Sequence, residues 1–229
     1  MSYPPDFTAA EIEICERVAP HTMTSAERVV AAIRAIDYVV DNGIAGDVVE
    51  CGVWRGGSTM AMAHALLRRG DTARTLFLFD TFSGMPPPGA RDVQFDGVAA
   101  AALLAGAPRE AHVWGVAALD DVRRNVESTG YPPERIRIVA GAVEETIPAT
   151  LPPSIAVLRL DTDWYASTRH ELVHLYPRLS DGGVLIVDDY GHWRGARDAT
   201  DEYFGTRAFR PFLHRIDYTG VLAIKRGAA

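Results

Sequence analysis

Asp47-Val-Val-Glu-Cys-Gly-Val-Trp-Arg-Gly-Gly-Ser-Thr59 carries the strongest architectural signal in the chain. Val48 and Val49 read as a buried strand, Glu50 as an acid at its end, Gly52, Gly56 and Gly57 as a turn, and Ser58-Thr59 as the start of a helix. Glycines let the chain turn sharply and let a ligand approach the main chain, while a helix N-terminus presents N–H groups that its own turns do not use. A strand, a glycine turn and a helix form the cofactor corner of a doubly wound α/β sheet.

The spacing differs from the dinucleotide pattern G-x-G-x-x-G, because three other residues separate Gly52 from Gly56. Glu50 would add nothing favourable beside a pyrophosphate, whereas the cationic amino-acid end of S-adenosylmethionine (SAM) tolerates a carboxylate. A second acid, Asp80, closes the next apolar run, Thr75-Leu-Phe-Leu-Phe-Asp80, where it is placed to accept from ribose hydroxyls. The bland alternative is an ordinary strand-to-helix turn with Glu50 as a strand cap.

Working outward, apolar runs and helical periods alternate. Helices are expected over 8–19 and from Ser25 to about Asn42, followed by strand 47–51, helix 57–69 and strand 75–80. A helical pattern over 117–129 precedes strand 135–140. Strand 155–161, helix 165–178, strand 184–188, a helix near 195–204 and a closing hairpin complete the order. This alternation predicts an α/β fold, a mainly parallel sheet with helices on both faces. One domain over 1–229 is expected, with N-terminal helices in 1–45, a core in 46–229 and an irregular loop at 81–97 around Pro86-Pro87-Pro88. A loop of that length in a compact domain is usually functional.

Parallel sheets bind ligands beyond the carboxyl ends of their strands. Two strands end there in acids, Asp161-Thr-Asp163 and Asp188-Asp189. Carboxylates gathered at one point repel one another and raise their pKa values unless a cation sits between them. Mg²⁺, which takes oxygen ligands and keeps open positions, suits Asp161, Asp188 and Asp189. A cation-held hydroxyl would then attack a methyl group in line, with Asp163 as the first candidate for general base and Asp161 beside it. Helix caps and a surface turn are the plainer reading of the same acids.

His170-Glu-Leu-Val-His174 matches the zinc-protease pattern H-E-x-x-H. On a helix, Leu172, Val173, Leu175, Tyr176 and Leu179 form the expected buried arc, which leaves the two histidines on a polar, solvated face with Pro177 close behind. His21 is expected near the cofactor, His192 either enters the site or faces solvent, and His64 reads as structural, with Trp54 and Trp164 able to pack on a ligand or in the core.

The 229 residues, 48% of them hydrophobic, suffice for one full core, and the net charge of −7 with no basic run argues against nucleic acid. Two cysteines make no disulfide framework, no apolar run is long enough to span a membrane, and the first residues do not read as a signal peptide, so a cytoplasmic location is expected.

Four motifs carry a more specific likeness: Val49-Glu-Cys-Gly-Val-Trp-Arg-Gly-Gly57, Phe79-Asp-Thr-Phe-Ser-Gly-Met-Pro86, Val157-Leu-Arg-Leu-Asp-Thr-Asp163, and Tyr176-Pro-Arg-Leu-Ser-Asp-Gly-Gly183 followed by Asp188-Asp189-Tyr190. Through them the chain, from about His21 to Tyr203, resembles the TylF-type macrocin O-methyltransferases, which methylate sugars of natural products. The resemblance implies a class I SAM-dependent methyltransferase fold with a seven-stranded sheet ending in an antiparallel hairpin. It implies Mg²⁺ on Asp161, Asp188 and Asp189. It implies cofactor contacts from Thr22, Met23, Glu50, Gly52, Ser58, Asp80 and Asp161, and an adenine-side turn at Gly141-Ala142. Homo-oligomers are common in that family, and the acceptor is a small-molecule or glycan hydroxyl. Some relatives carry a loop histidine as base. Here the loop offers only Asp92 and Asp96, which leaves the base open between Asp163, a loop acid and none. A phenolic acceptor, a silent SAM-binding module and, more remotely, a nicotinamide oxidoreductase are the other readings weighed.

Overall fold

The structure is a computed structural model that describes residues 3–147 and 149–227. Helix α1 (Ala9–Val18) starts at a reciprocal cap in which Thr8 Oγ1 accepts from Glu11 N–H and the Glu11 carboxylate accepts from Thr8 N–H. Helix α2 (Ala26–Asp41) starts at Ser25, whose hydroxyl accepts from Arg28 N–H, and buries Val29, Val30, Ile33, Ile36 and Val39 along one stripe. Then come β1 (Asp47–Cys51), α3 (Gly57–Arg68), β2 (Leu76–Asp80), α4 (Ala100–Ala105), α5 (Leu119–Glu127) and β3 (Ile136–Ala140). The chain continues with α6 (Val143–Thr146), β4 (Ile155–Leu160), α7 (Tyr165–His174), β5 (Leu179–Val187), α8 (Arg194–Gly205), β6 (His214–Arg215) and β7 (Val221–Ile224).

The seven strands lie in the order β3-β2-β1-β4-β5-β7-β6. The first five are parallel, and β7 runs antiparallel to β5 and β6, so the expected mainly parallel sheet and closing hairpin are present. The central strands are apolar on both faces because both are covered. Val48, Leu76, Leu78, Val157 and Ile186 pack on one side with α2 and α3; Val49, Phe79, Leu158, Leu160 and Val187 pack on the other with residues of α7 and α8. Strand β1 is followed in space by β2 on one side and β4 on the other. The order therefore switches between β1 and β4, and the crevice opens at their carboxyl ends.

Three expectations are corrected. Strand β5 begins at Leu179, not near Val184, because an irregularity between the pairs Ile155↔Leu179 and Val157↔Val184 absorbs the Asp181-Gly-Gly turn-like segment into the strand. Helix α7 stops at His174, and Tyr176–Arg178 form a 3-10 turn, since Pro177 has no N–H to continue the helix. The arc assigned to that helix is also rotated: Val173 is exposed, whereas Glu171 is completely buried. Among the described residues no helix is long and apolar enough to cross a membrane.

The 81–97 segment is irregular, as expected, but docked. Its isolated bridges join Val93 to Ala99 and Gln94 to Trp193. Asp92, 2% exposed, accepts from Gly89 N–H (2.6 Å) and from Tyr165 N–H at the start of α7 (2.8 Å). The indole N–H of Trp164 donates to Pro86 O at 3.0 Å, over a small apolar cluster that includes Trp193 and Leu104.

Candidate active site

One cavity of about 340 Å³ lies over the β1–β4 crevice, within the size range of small-molecule sites. The residues expected to hold cofactor or metal or to act in catalysis line it, Thr22, Met23, Glu50, Gly52, Ser58, Asp80, Gly141, Ala142, Asp161, Asp163, Asp188 and Asp189, whereas the loop acids Asp92 and Asp96 and Trp164 do not. His21, His192 and Trp54 line it too.

At the glycine end the backbone is as tight as the turn demands. Gly52 has φ +81, and its N–H donates to Phe79 O while Asp161 N–H donates to Cys51 O, both at 2.9 Å. A Cβ on Gly57 would lie 2.6 Å from His21 O, so the N-terminal segment crosses directly over the start of α3. Asp80 is tied to this turn. One carboxylate oxygen accepts from the N–H groups of Val53 (2.7 Å) and Trp54 (2.9 Å), and the other from Phe82 N–H (2.8 Å). Burial still holds its pKa above the ordinary aspartate value.

Glu50 is 2% exposed, and protein groups take both of its oxygens. The Thr59 hydroxyl donates to one and Arg159 Nη1 to the other, the latter at 2.6 Å. Burial pushes this carboxyl up to about 7 in spite of the guanidinium.

At the other end, the Asp161-Thr-Asp163 turn places two acids beside the Asp188-Asp189 pair at the end of β5. Oxygens of Asp161, Asp163 and Asp189 lie within 4.8 Å of one another, a spacing that suits one metal ion. Asp189 Oδ2 is buried without any hydrogen-bond partner. Asp163 has φ +65, a left-handed conformation that costs a non-glycine residue energy and is tolerated where a fold over-determines it. Thr162 between the two acids donates to Glu171, so the buried glutamate of the H-E-x-x-H stretch braces this turn from below. Burial drives Glu171 well above the ordinary glutamate range.

Asp188 is placed differently from the ligand role expected for it. Arg159 Nη2 donates to Oδ1 at 2.5 Å, and Arg28 Nη1 donates to Oδ2. Arg28, on α2, also donates to Asp217 at 3.0 Å. Burial is the largest influence on all four aspartates. It raises Asp161 and Asp188 to about 6 and Asp163 to about 7, and raises Asp189 well above the ordinary value. Six carboxyl groups, Glu50, Asp161, Asp163, Asp188, Asp189 and Asp217, face two guanidiniums, those of Arg28 and Arg159, so acids outnumber cations by four.

Sequence reasoning missed Arg159, Arg28 and Glu171, and it named Asp92 only as a candidate base, whereas the carboxylate is tied to the N–H groups of Gly89 and Tyr165. For Arg159 a signal existed: Val157-Leu-Arg-Leu160 reads as a strand buried on both faces, and a buried guanidinium there requires carboxylate partners. The two histidines of α7 have ring centroids 4.3 Å apart, and neither joins the acid group at the strand ends.

The family model for macrocin-O-methyltransferase (TylF) matches residues 15–225. The 8-demethyl-8-(2,3-dimethoxy-alpha-L-rhamnosyl)-tetracenomycin-C 4'-O-methyltransferase of Streptomyces olivaceus is 38% identical over 206 residues, 88% of this chain and 74% of that protein. The demethyldecarbamoylnovobiocin O-methyltransferase of Streptomyces niveus is 36% identical over 201 residues, with the same two coverages, 88% and 74%. The solved structure of the O-methyltransferase NovP superposes with a TM-score of 0.79 at 34% identity, covering 90% of this chain and 83% of that one.

Proposed function

This chain belongs to the macrocin-O-methyltransferase (TylF) family and is an O-methyltransferase of class I fold, and from that premise we propose that it moves the methyl group of SAM to a hydroxyl on the sugar moiety of a natural product or glycan. The observation that carries the reading is the placing of an uncompensated acid group and a glycine turn at two ends of one cavity. The sugar named in the tetracenomycin relative supports a sugar over a phenol as acceptor.

SAM supplies a methyl group on a sulfonium, which leaves as a neutral thioether without acid assistance. The chain's part is to bind and orient it. Gly52 leaves room along the main chain, the first turn of α3 at Ser58 offers free N–H groups, and Asp80 stands at the ribose position. Gly141 and Ala142 flank the adenine side, and Thr22 and Met23 close over the top.

The residues present fit a hard divalent cation such as Mg²⁺. They are oxygen donors in negative excess, and one of them, Asp189 Oδ2, is buried without a partner. Asp161, Asp189 and Asp163 would hold it; Asp188 could join only by sharing an oxygen with Arg28 or Arg159. When bound, such a cation lowers the pKa of an acceptor hydroxyl and offsets the mutual repulsion of the acids. Asp163 would have one oxygen for that group and the other for the hydroxyl proton. Asp163 would take the hydroxyl proton as the acceptor oxygen receives the methyl group that SAM would supply, with the sulfur leaving as the thioether.

Transfer of label from SAM to a panel of alkyl glycosides and catechols, with Mg²⁺ or with EDTA, tests this. Labelled glycoside that disappears in EDTA is expected. Label on catechols alone would move the acceptor to phenols, and label unaffected by EDTA would remove the cation from the reading. We propose also that the chain works as a homo-oligomer, supported by exposed Phe212 and Ile224 near the closing hairpin; light scattering in solution checks this.

A further inference from the structure

We infer that Arg159 is a positioning residue that ties the cofactor end of the site to its carboxylate end, so that a change of charge at one is read as a change of affinity at the other. The inference rests on the cofactor and cation reading above.

Three neighbouring strands supply the geometry. Glu50 on β1 is the register partner of Arg159 on β4, and Asp188 follows β5, the next strand across. The guanidinium is planar with donors fixed in a fork, so it reaches several acceptors at once without rearranging. Its Nη1 is shared between Glu50 Oε1 and Asp161 Oδ2, both at 2.6 Å, and its Nη2 goes to Asp188 Oδ1 at 2.5 Å. The side chains of Arg159 and Glu50 are each 2% exposed, so water screens these contacts little.

Glu50 has no free oxygen, because the Thr59 hydroxyl takes the one that Arg159 leaves. It therefore acts on the rest of the site through Arg159. One Nη1 donating to two carboxylates is a divided interaction. Weakening its pull toward Glu50 strengthens its hold on Asp161, and Asp161 is then a poorer partner for a cation. An arginine that only neutralised buried acids would give a different result, since the charge on Glu50 would then act on the cation directly and independently of residue 159.

The test is calorimetric binding of Mg²⁺ to the EDTA-treated full chain without cofactor, in wild type, Glu50→Gln, Arg159→Lys and the double variant. S-adenosylhomocysteine binding is measured alongside. Glu50→Gln is expected to weaken Mg²⁺ binding about three- to tenfold although Glu50 lies outside the ligating group. Arg159→Lys, a point charge that cannot span three acids, is expected to weaken S-adenosylhomocysteine about tenfold or more and, by releasing Asp161, to leave Mg²⁺ binding no weaker than in wild type. The double variant should bind Mg²⁺ no worse than Arg159→Lys alone. Mg²⁺ affinity in Glu50→Gln within about twofold of wild type, or the same loss in the double variant as in Glu50→Gln, would overturn the inference while leaving the cation in place. Absence of Mg²⁺ binding by the wild type would overturn both. If Arg159→Lys does not fold, Glu50→Asp decides: it keeps the charge but shortens the reach to Arg159, so weakened Mg²⁺ binding is expected and wild-type Mg²⁺ affinity would overturn the inference.

Discussion

Gly52 and Asp161 meet backbone to backbone: a Cβ built on Gly52 would lie 1.9 Å from the Asp161 carbonyl oxygen. The turn proposed to receive the cofactor and the turn that carries the acids are thus in van der Waals contact, and glycine is the residue that permits it. Gly52→Ala combines that overlap with φ +81, a conformation costing about 1–2 kcal/mol for an L-residue. It is expected to abolish S-adenosylhomocysteine binding and to lower the melting temperature. Calorimetry and thermal unfolding check this, and a variant that bound like wild type would show that the crevice is looser than described.

The acid group sets a pH dependence of stability whose sign follows from its direction of shift. Glu50 and Asp163 at about 7, with Asp161 and Asp188 at about 6, hold protons in the folded chain that the unfolded chain has already released above about pH 4. Their contribution is therefore full below the unfolded values and is lost as pH rises from about 4 through 7. The EDTA-treated chain is expected to melt lower at pH 8 than at pH 5.5, and Mg²⁺ to raise the melting temperature more at pH 8. A melting temperature that rises over this interval without metal would contradict the arrangement.

Asp188 pairs with the buried Arg159 and the half-buried Arg28. Removing its charge leaves Arg28 and Arg159 facing each other with fewer acceptors, and breaking a buried pair in this way typically costs about 3–5 kcal/mol. Asp188→Asn should therefore lower stability by about 3 kcal/mol in urea unfolding. In Mg²⁺ calorimetry it should weaken binding less than Asp189→Asn does. The reverse order would assign the third ligand position to Asp188, as the sequence alone suggests.

Asp92 holds the 81–97 loop by its two backbone contacts, to Gly89 and Tyr165. Asp92→Ala leaves both N–H groups without that partner, at about 1–3 kcal/mol for each that remains buried. Turnover of the glycoside should fall and its KM rise, with S-adenosylhomocysteine affinity within about twofold of wild type. Equal loss of both bindings would mean that the loop supports the cofactor as well.

Much of this was legible in the sequence because it depends on local chemistry. The glycine turn at 52–57, the acids that end β2, β4 and β5, and the alternation of runs follow from residue type and spacing, and the resulting strands bring the named residues around one cavity. What escaped depends on pairing across strands. That Asp188, in the cavity lining, has both oxygens taken by arginines is settled by the register of β4 against β5 and by where α2 lies, neither of which a single sequence reports. Glu171 escaped for a related reason: helical periodicity placed it among polar neighbours, but Thr162 on the preceding turn gives it a buried partner. Asp92 sits in a loop without periodicity, so no pattern pointed to its fold-spanning contacts.

The docking of the 81–97 loop has a practical side. A Cβ on Gly195 would fall 2.0 Å from Asp92 Oδ1, so the loop's anchor occupies the space that a side chain at position 195 would fill. Asp92 and Gly195 therefore act as lock and keyway on segments about a hundred residues apart in the chain. Anyone grafting another loop here to change the acceptor must treat the two as one part: a graft that lacks the acid rattles in an empty keyway, and a recipient that lacks the glycine will not let it seat.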